Sequence, residues 1–152
     1  MITNWQKFFG LILYFLPWSE VLVFGRYLIQ GNQYLEYLSY PAILVLILKS
    51  SIPFGGLIVF LCIFLFIIRN NSMSYFIKFN ALQSVLLSII ISIVNYGFQI
   101  FIRPINNLFL ISTISSLIFV STLAIISFCL WQCFQGEEAD IPLISEAVRM
   151  QI

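Results

Sequence analysis

The sequence predicts an all-α, polytopic membrane protein, with four transmembrane helices and short interfacial helices in a single domain over residues 1–152. Of the 152 residues, 61% are hydrophobic and only 9% are charged, whereas about a quarter of the residues of a soluble domain are charged. The charged residues also leave three long uncharged runs, at 50–68, 79–102 and 104–136. A helix needs about 20 residues to cross the hydrocarbon core, so each run is long enough for one crossing. Continuous apolar runs favour helices over barrel strands.

The first predicted span covers about residues 8–28 and is interrupted by Pro17, Glu20 and Arg26. A proline inside a helix lacks a backbone donor and crowds the preceding turn, so we expect a kink at Pro17. The following stretch, 30–52, is expected to form a helix that lies at the membrane interface or re-enters the membrane. Tyrosines cluster in this stretch, and its apolar part is too short to span.

The remaining spans are predicted at about 53–69, 80–101 and 108–134, followed by a polar C-terminal tail over 135–152. The short segment 72–79 carries helix-capping residues and is expected to lie along the membrane surface before the third span begins. Four crossings place both ends of the chain on the same side of the membrane. That side carries Lys7, Arg69, Lys78 and Arg149, and the other carries Arg26, Lys49 and Arg103. This charge bias weakly favours both ends facing the compartment of synthesis.

The composition argues against ordinary enzyme chemistry. The sequence has no histidine, which is the commonest general base and metal ligand. Its three cysteines, Cys62, Cys129 and Cys133, form neither a zinc-site pattern nor a disulfide framework, and we expect them to be small packing residues. We therefore expect no catalytic residue, no metal and no cofactor. A net charge of +1 also gives no reason to expect a nucleic-acid partner.

The predicted third span carries a face of uncharged polar residues. At 100° per residue these side chains fall within one half of the helix, and large aliphatic residues occupy mainly the other half. The face comprises Asn80, Gln83, Ser84, Ser88, Ser92, Asn95 and Gln99. Its serines, spaced four apart, favour close packing of two helices. Its four amides exceed what packing needs and favour a face that lines a hydrated path, so both interpretations stay open at this point.

Glu20 is an ionisable residue a little more than three turns into the first predicted span. Such residues are costly in a membrane and are usually functional, so Glu20 is a candidate site residue. Arg26 lies six residues further on and faces another way, so it is not an intrahelical partner. The alternative is that the helix is displaced and Glu20 reaches the interface.

Three segments of the chain match a known pattern in order. The run Tyr14–Glu20 (YFLPWSE), with Gly25 after it, resembles the first-helix signature of the twenty-kilodalton subunit family of the translocon at the inner envelope of chloroplasts, the Tic complex. Residues 69–89 are similar to the family's basic–Phe–Asn motif, which leads through a glutamine into a leucine-rich helix. Residues 139–151 resemble the family's ending. The plastid-encoded and cyanobacterial relatives of the family share the first-helix signature.

The chain departs from the family pattern at Lys78, Ser84 and Ser88, where the family usually has an arginine, usually an alanine and often an acid. The serine at position 88 puts in doubt any general role for an intramembrane carboxylate at that position.

The resemblance implies a non-enzymatic subunit of the plastid protein-import translocon that helps form the path for preproteins, with both ends towards the stroma. The implied location is the chloroplast inner envelope membrane, or the plasma membrane of a cyanobacterium. The implied partners are other inner-envelope translocon subunits, preproteins in transit and membrane lipid, with segments 32–49 and 72–79 available for docking. Two alternatives are a structural scaffold subunit of a membrane complex and a small-solute transporter. A transporter usually has an internal repeat, and the sequence has no convincing one.

Overall fold

The computed structural model describes residues 2–152, which form eight α-helices. They are α1 (Asn4–Leu13), α2 (Phe15–Val21), α3 (Arg26–Ile29), α4 (Gln33–Ser50), α5 (Gly55–Ile63), α6 (Tyr75–Gly97), α7 (Leu108–Gln135) and α8 (Ile144–Arg149). A π-helical turn extends α5 to Ile68, and a π-helical turn followed by a 3-10 turn extends α6 to Ile105. The prediction of an all-α fold is confirmed, since residues 2–152 contain no strand.

Two helical segments are long and apolar enough to cross a membrane, Tyr75–Ile105 and Leu108–Gln135. They correspond to the predicted third and fourth spans. A third crossing results if α4 and the extended α5 form one span, although these helices meet at a bend of 107°. The predicted total of four crossings is therefore confirmed only in part.

The predicted first span, 8–28, is not one continuous helix. Helix α1 ends at Leu13 and α2 begins at Phe15, so the helix breaks around Tyr14. The physical cause is Pro17, which has no N–H to donate and whose ring crowds the carbonyl of Leu13 four residues earlier. The kink expected at Pro17 is thus present as a break about one turn before it.

The segment α1–α3 runs beside α6 in the same direction. The hydroxyl of Tyr14 donates to Asn80 Oδ1 at 3.0 Å near the beginning of α6. The rings of Phe24 and Phe98 meet edge to face near its end, with centroids 5.4 Å apart. The chain therefore passes from one end of the bundle to the other between residues 4 and 29.

Helix α7 packs antiparallel to this first segment. Lys7 Nζ donates to the carbonyl of Gln135 at 3.2 Å at one end, and Ser115 Oγ donates to the carbonyl of Phe24 at 2.8 Å towards the other. The N-terminus and the end of α7 therefore lie at the same end of the bundle. The buried core of these helices includes Tyr14, Phe24, Phe119, Ile126, Cys129 and Cys133.

Residues 33–50 form one helix with Pro41 inside it, where the sequence predicted an interfacial or re-entrant segment over 30–52. The predicted second span, 53–69, is present only as α5 and its π-helical turn, with nine and five residues. At 1.5 Å per residue these reach about 21 Å, which is shorter than a hydrocarbon core of about 30 Å. Helices α4 and α5 together have the length for a crossing, and 53–69 alone does not.

Two backbone features build the bend between α4 and α5. Phe54 has a φ of 56°, in the left-handed region that large side chains rarely adopt. Gly55 follows, and a Cβ on it would lie 2.0 Å from the carbonyl oxygen of Lys49. Because no carbon atom can approach so closely, only glycine permits this bend. The bend fixes the end of α4, and with it Lys49, against α2.

The segment 72–79, which was expected to lie along the membrane surface before the third span, runs directly into that span, and the predicted capping residue Ser74 is its N-cap. Helix α6 begins at Tyr75, and its N-cap Ser74 accepts the N–H of Ile77 at 3.4 Å. Three of the first five residues of α6 are buried. Apolar packing against the bundle therefore makes this segment the beginning of α6.

The predicted polar tail, 135–152, folds back onto the beginning of α6. Helix α8 buries Val148 against Phe79 and Leu82. Arg149 lies over the ring of Phe79, with Cζ 5.9 Å from the centroid, and pairs with two acidic residues of the tail at 3.4 Å. Exposed ion pairs of this kind contribute little stability, so the apolar contact of Val148 is the main attachment.

Replacement of Gly55 by alanine should destabilise the fold, because the added Cβ cannot fit beside the Lys49 carbonyl. We expect Gly55→Ala to lower the free energy of unfolding by about 2–3 kcal/mol, the range for overpacking and backbone strain. The measurement is helix loss by circular dichroism as SDS is titrated into the protein in mild detergent.

Gly56→Ala is the matched control, since a Cβ at Gly56 meets nothing within 4 Å. It should leave stability unchanged or raise it by about 0.5–1 kcal/mol, because alanine favours the helix. Equal effects of the two substitutions would contradict the proposed geometry of the bend.

Candidate functional site

The polar face of α6, defined by the seven residues identified above, passes through three environments. Asn80, Gln83 and Ser84 are fully buried. Ser88 and Ser92 line a cavity of about 420 Å³, here called the central cavity, and Asn95 and Gln99 line a second cavity of about 150 Å³, here called the basic cavity. The residues share a helix face but do not share surroundings.

Asn80 is committed to packing between α6 and the first segment. Its Oδ1 accepts the hydroxyl of Tyr14 at 3.0 Å, and its Nδ2 donates to the carbonyl of Phe76 at 2.8 Å. Both partners are buried. In a membrane interior such contacts satisfy polar groups that have no water to bind. Asn80 therefore ties α6 to the break between α1 and α2.

Gln83 joins α6 to the C-terminal tail. Its Nε2 donates to the carbonyl of Ala139 at 3.0 Å. The same carbonyl accepts the hydroxyl of Ser145 at 3.0 Å, and Ser145 Oγ accepts the N–H of Ile141 at 2.7 Å. Gln83 Oε1 has no hydrogen-bond partner within residues 2–152. The tail thus covers this end of the polar face.

The two buried serines that follow differ in how their hydroxyls are used. Ser84 Oγ donates to the carbonyl of Ala81 in its own helix at 2.9 Å. Ser88 Oγ is buried, with the residue 8% exposed, and has no partner within the described part of the chain. An unpaired buried hydroxyl costs about 1–3 kcal/mol. Ser88 therefore lines the central cavity as a residue, while its hydroxyl oxygen is enclosed by the packing and is not exposed to the cavity.

The central cavity lies between α2, α4, α5 and α6. Most of its wall is apolar, formed by Leu16, Leu57, Phe60, Val85, Ile89 and Ile93. Its polar lining residues are Ser88, Ser92, Tyr96 and the ion pair of Glu20 with Lys49. Concave, mainly apolar sites with a few polar groups are typical binding sites.

Glu20 forms an ion pair with Lys49 across the contact between α2 and α4. Glu20 Oε1 lies 2.5 Å from Lys49 Nζ, which also donates to Ser19 Oγ at 3.1 Å. The Lys49 side chain is 9% exposed and that of Glu20 27%. Lys49 also lies in the last turn of α4, where the helix dipole favours a cation. The ion pair therefore offsets the cost of both charges and leaves the cavity without net charge.

The basic cavity lies where α6 ends, beside α3 and α7. Its polar groups come from Arg26, Tyr27, Asn95, Gln99, Arg103 and Ser115. Gln99 Nε2 donates to Asn95 Oδ1 at 3.2 Å, so these two amides form a pair along the helix. The fold thus brings together two arginines that are 77 positions apart in the sequence.

Several residues of these sites were not identified from the sequence. Lys49 was predicted to lie in the interfacial or re-entrant stretch 30–52, and its role as the partner of Glu20 was not predicted. An acid within a span requires a counter-charge, and Lys49 was one of few basic residues available, so that signal was present. The convergence of Arg26 with Arg103, and the role of Tyr14, depend on the parallel course of α1–α3 and α6, which no sequence pattern indicates.

No group of three or more potential metal ligands occurs among residues 2–152. Cys129 and Cys133 are buried in the core, as packing cysteines are expected to be, whereas Cys62 is exposed.

The chain is similar to known proteins over almost its whole length. A family model described as "Chloroplast import apparatus Tic20-like" matches residues 3–148. A Tic20 family protein of Synechocystis sp. (strain ATCC 27184 / PCC 6803 / Kazusa) is 31% identical over 148 residues, which is 97% of this chain and 92% of the relative. The Tic20 family protein Ycf60 of Porphyra purpurea is 31% identical over 94% of this chain and 73% of its own length. Protein TIC 20-v, chloroplastic, of Arabidopsis thaliana is 22% identical over 97% of this chain and 71% of its own.

Removing the charge of either Glu20 or Lys49 alone should lower the free energy of unfolding more than removing both charges together. Glu20→Gln or Lys49→Met leaves a charge without its partner, and we expect each to lower the free energy of unfolding by about 2–3 kcal/mol. This is somewhat less than the effect at a fully buried pair, because Glu20 is partly exposed. The double variant should recover at least half of the larger loss, as measured by SDS titration and circular dichroism.

The exposed pair of Glu138 with Arg149 supplies the control, and Glu138→Gln should cost less than about 1 kcal/mol. Additive losses in the double variant would show that Glu20 and Lys49 do not interact.

Proposed function

Because the chain belongs to the Tic20 family, we propose that it is a subunit of the protein-import translocon in the plastid inner envelope membrane and helps form the path for preproteins. The cyanobacterial plasma membrane is the corresponding location if the source is a cyanobacterium. The partners of this proposal are other subunits of the translocon, preproteins in transit and membrane lipid.

The main support for the path is the central cavity itself, which is lined on the α6 side by Ser88 and by the half-buried Ser92. Asn80, Gln83 and Ser84 are fully buried by the packing of this chain, and we assign them no contact with substrate. Ser92 is partly exposed, and it lines the central cavity with Ser88, opposite an apolar wall and an ion pair with no net charge. We therefore assign the path to these two serines, with Asn95 and Gln99 at its far mouth.

The chemistry of the central cavity suits a chain that must slide. A hydrogen bond to an uncharged hydroxyl contributes about 1 kcal/mol, which corresponds to about fivefold in an equilibrium constant. Apolar walls accept many kinds of side chain, since apolar contact has no directional requirement. The charges of Glu20 and Lys49 cancel, so neither an acidic nor a basic segment would be held strongly.

We also propose four membrane crossings with both ends on the stromal side. The first crossing is the broken segment α1–α3, which accompanies α6 from one end of the bundle to the other. Helices α4 and α5 together make the second crossing, and α6 and α7 make the third and fourth. Lys7 lies beside the end of α7, and basic residues at this end favour the compartment of synthesis.

A structural scaffold role is the second candidate function. It is favoured by the complete burial of Asn80, Gln83 and Ser84, which serve the packing of this chain alone. The two functions differ in what touches Ser92, since a scaffold would meet only neighbouring subunits or lipid there.

A photo-crosslinking residue at Ser92 should capture a preprotein arrested in transit. Ser92 is half-buried and lines the central cavity, so the probe has room and lies on the proposed path. We expect adducts with the preprotein at least several-fold more abundant than from the same probe at Ile90. Ile90 is an exposed residue on the opposite face of α6. The measurement is immunoprecipitation of the crosslinked preprotein from import reactions in isolated membranes.

Gln83 is the internal control, because its contact with Ala139 should direct a probe there to the tail of the same chain. Equal capture of the preprotein by probes at Ser92 and at Ile90 would contradict the proposed path. Capture of another subunit alone at Ser92 would favour the scaffold.

A further inference from the structure

The basic cavity is lined by two arginines, and the passage of a preprotein does not require such a concentration of positive charge. Arg26 at the beginning of α3 and Arg103 in the last turn of the α6 segment both line it. We propose that the basic cavity binds the phosphate group of an anionic membrane lipid. This proposal does not depend on the import function.

The charge at the basic cavity is uncompensated. None of its lining residues is acidic. Within residues 2–152, no carboxylate oxygen lies within 4.0 Å of the guanidinium of Arg26 or Arg103, since the ion pairs present involve Lys49 and Arg149. Two like charges brought together repel one another unless an anion lies between them. The two planar guanidinium groups also match the geometry of phosphate oxygens, to which arginine can donate two parallel hydrogen bonds.

The size of the basic cavity and its other hydrogen-bond donors also fit a phosphate group. Tyr27 contributes a hydroxyl, and Asn95 and Gln99 contribute amide groups. The volume is about 150 Å³, which is the space of about five water molecules. A phosphate group has five heavy atoms, so it fits without room for a second large substituent. The rest of the ligand must therefore extend out of the cavity.

The position along the chain favours a lipid as the source of the phosphate. Arg103 follows the apolar length of α6, and Arg26 follows that of α2, so both lie where an apolar segment gives way to charge. Headgroups lie at this boundary, and polar or aromatic residues such as Tyr27 are enriched there. Free phosphate offers the same oxygens, but a lipid also places its acyl chains along the exposed apolar residues beside the cavity, such as Val23.

The test is a titration of the full-length protein in neutral detergent with dioleoylphosphatidylglycerol, followed by native mass spectrometry. We expect one tightly held lipid and an increase of about tenfold in its Kd for Arg26→Gln or Arg103→Gln, since a charge-assisted contact is worth about 1.5–3 kcal/mol. The double variant should lose the specific lipid. Arg69→Gln is the matched control, because Arg69 is an exposed arginine that lines neither cavity.

Two further ligands distinguish a lipid from free phosphate as the source of the bound phosphate group. Dioleoylglycerol, which has the chains without the phosphate, should bind at least tenfold more weakly, and glycerol phosphate should compete only at much higher concentration than the lipid. An unchanged Kd in the double variant, or an equal loss in Arg69→Gln, would overturn the site. Tight binding of inorganic phosphate without retention of the lipid would overturn the assignment to a lipid.

Both arginines are exposed, so the variants should keep the circular dichroism spectrum of the parent protein. The crosslinking result at Ser92 is independent of all these outcomes.

Discussion

The ion pair of Glu20 with Lys49 fixes how the first half of the chain packs. A carboxylate among apolar helices needs a counter-charge within hydrogen-bonding distance, because no water is available to solvate it. Lys49 reaches it only because α4 continues without a break to Ser50 and then bends sharply away through Phe54 and Gly55. The bend, the length of α4 and this one contact together place the wall of the central cavity that α4 and α5 form.

Buried polar groups need hydrogen-bond partners, and this explains why some residues of the polar face of α6 pack against other helices while others line a cavity. At its beginning, α1, α2 and the tail come close enough to supply a hydroxyl and a carbonyl, and Asn80 and Gln83 become packing residues. Further along, the bent pair α4–α5 turns away from α6 and leaves a gap, so Ser88 has no partner. The division therefore arises from what lies opposite each turn of the helix, and the face itself is chemically uniform.

The sequence predicted the parts of the fold that depend on one helix at a time. Apolar runs of sufficient length located α6 and α7, and Pro17 located the break in the first segment. The stretch 30–52 was predicted as an interfacial or re-entrant helix, because about seven apolar residues after Pro41 are too short to span alone, and a helix is present at Gln33–Ser50. Its continuation into α5 depends on the tertiary contact at Gly55 and could not be predicted from the sequence. The beginning of α6 was misplaced because its capping residues are also typical of a surface helix, and only the buried contacts of Phe76 and Phe79 distinguish the two.

For the candidate site, too, the sequence predicted only what depends on one helix at a time. Helical periodicity predicted that the seven polar residues share one face, since this requires only the 100° repeat; six of them lie in α6, and Gln99 lies in the π-helical turn that follows. Which of them pack and which line a cavity depends on neighbours far away in the sequence, such as Ala139 for Gln83. The identity of the partner of Glu20 was open for the same reason, although the need for one followed from its depth.

The wall of the central cavity formed by α5 differs from the others in how firmly it is held. Helices α2 and α6 are tied together by Tyr14 and Asn80, and α4 is tied to α2 by the ion pair. Of α5, only Gly55 is buried, and its π-helical turn has no buried residue. Elements with few buried contacts are those that move at the least cost in free energy. The middle of α5 is therefore the least firmly held wall of the central cavity, between the bend at Gly55 and the contact of Ile68 with Phe79 and Leu82.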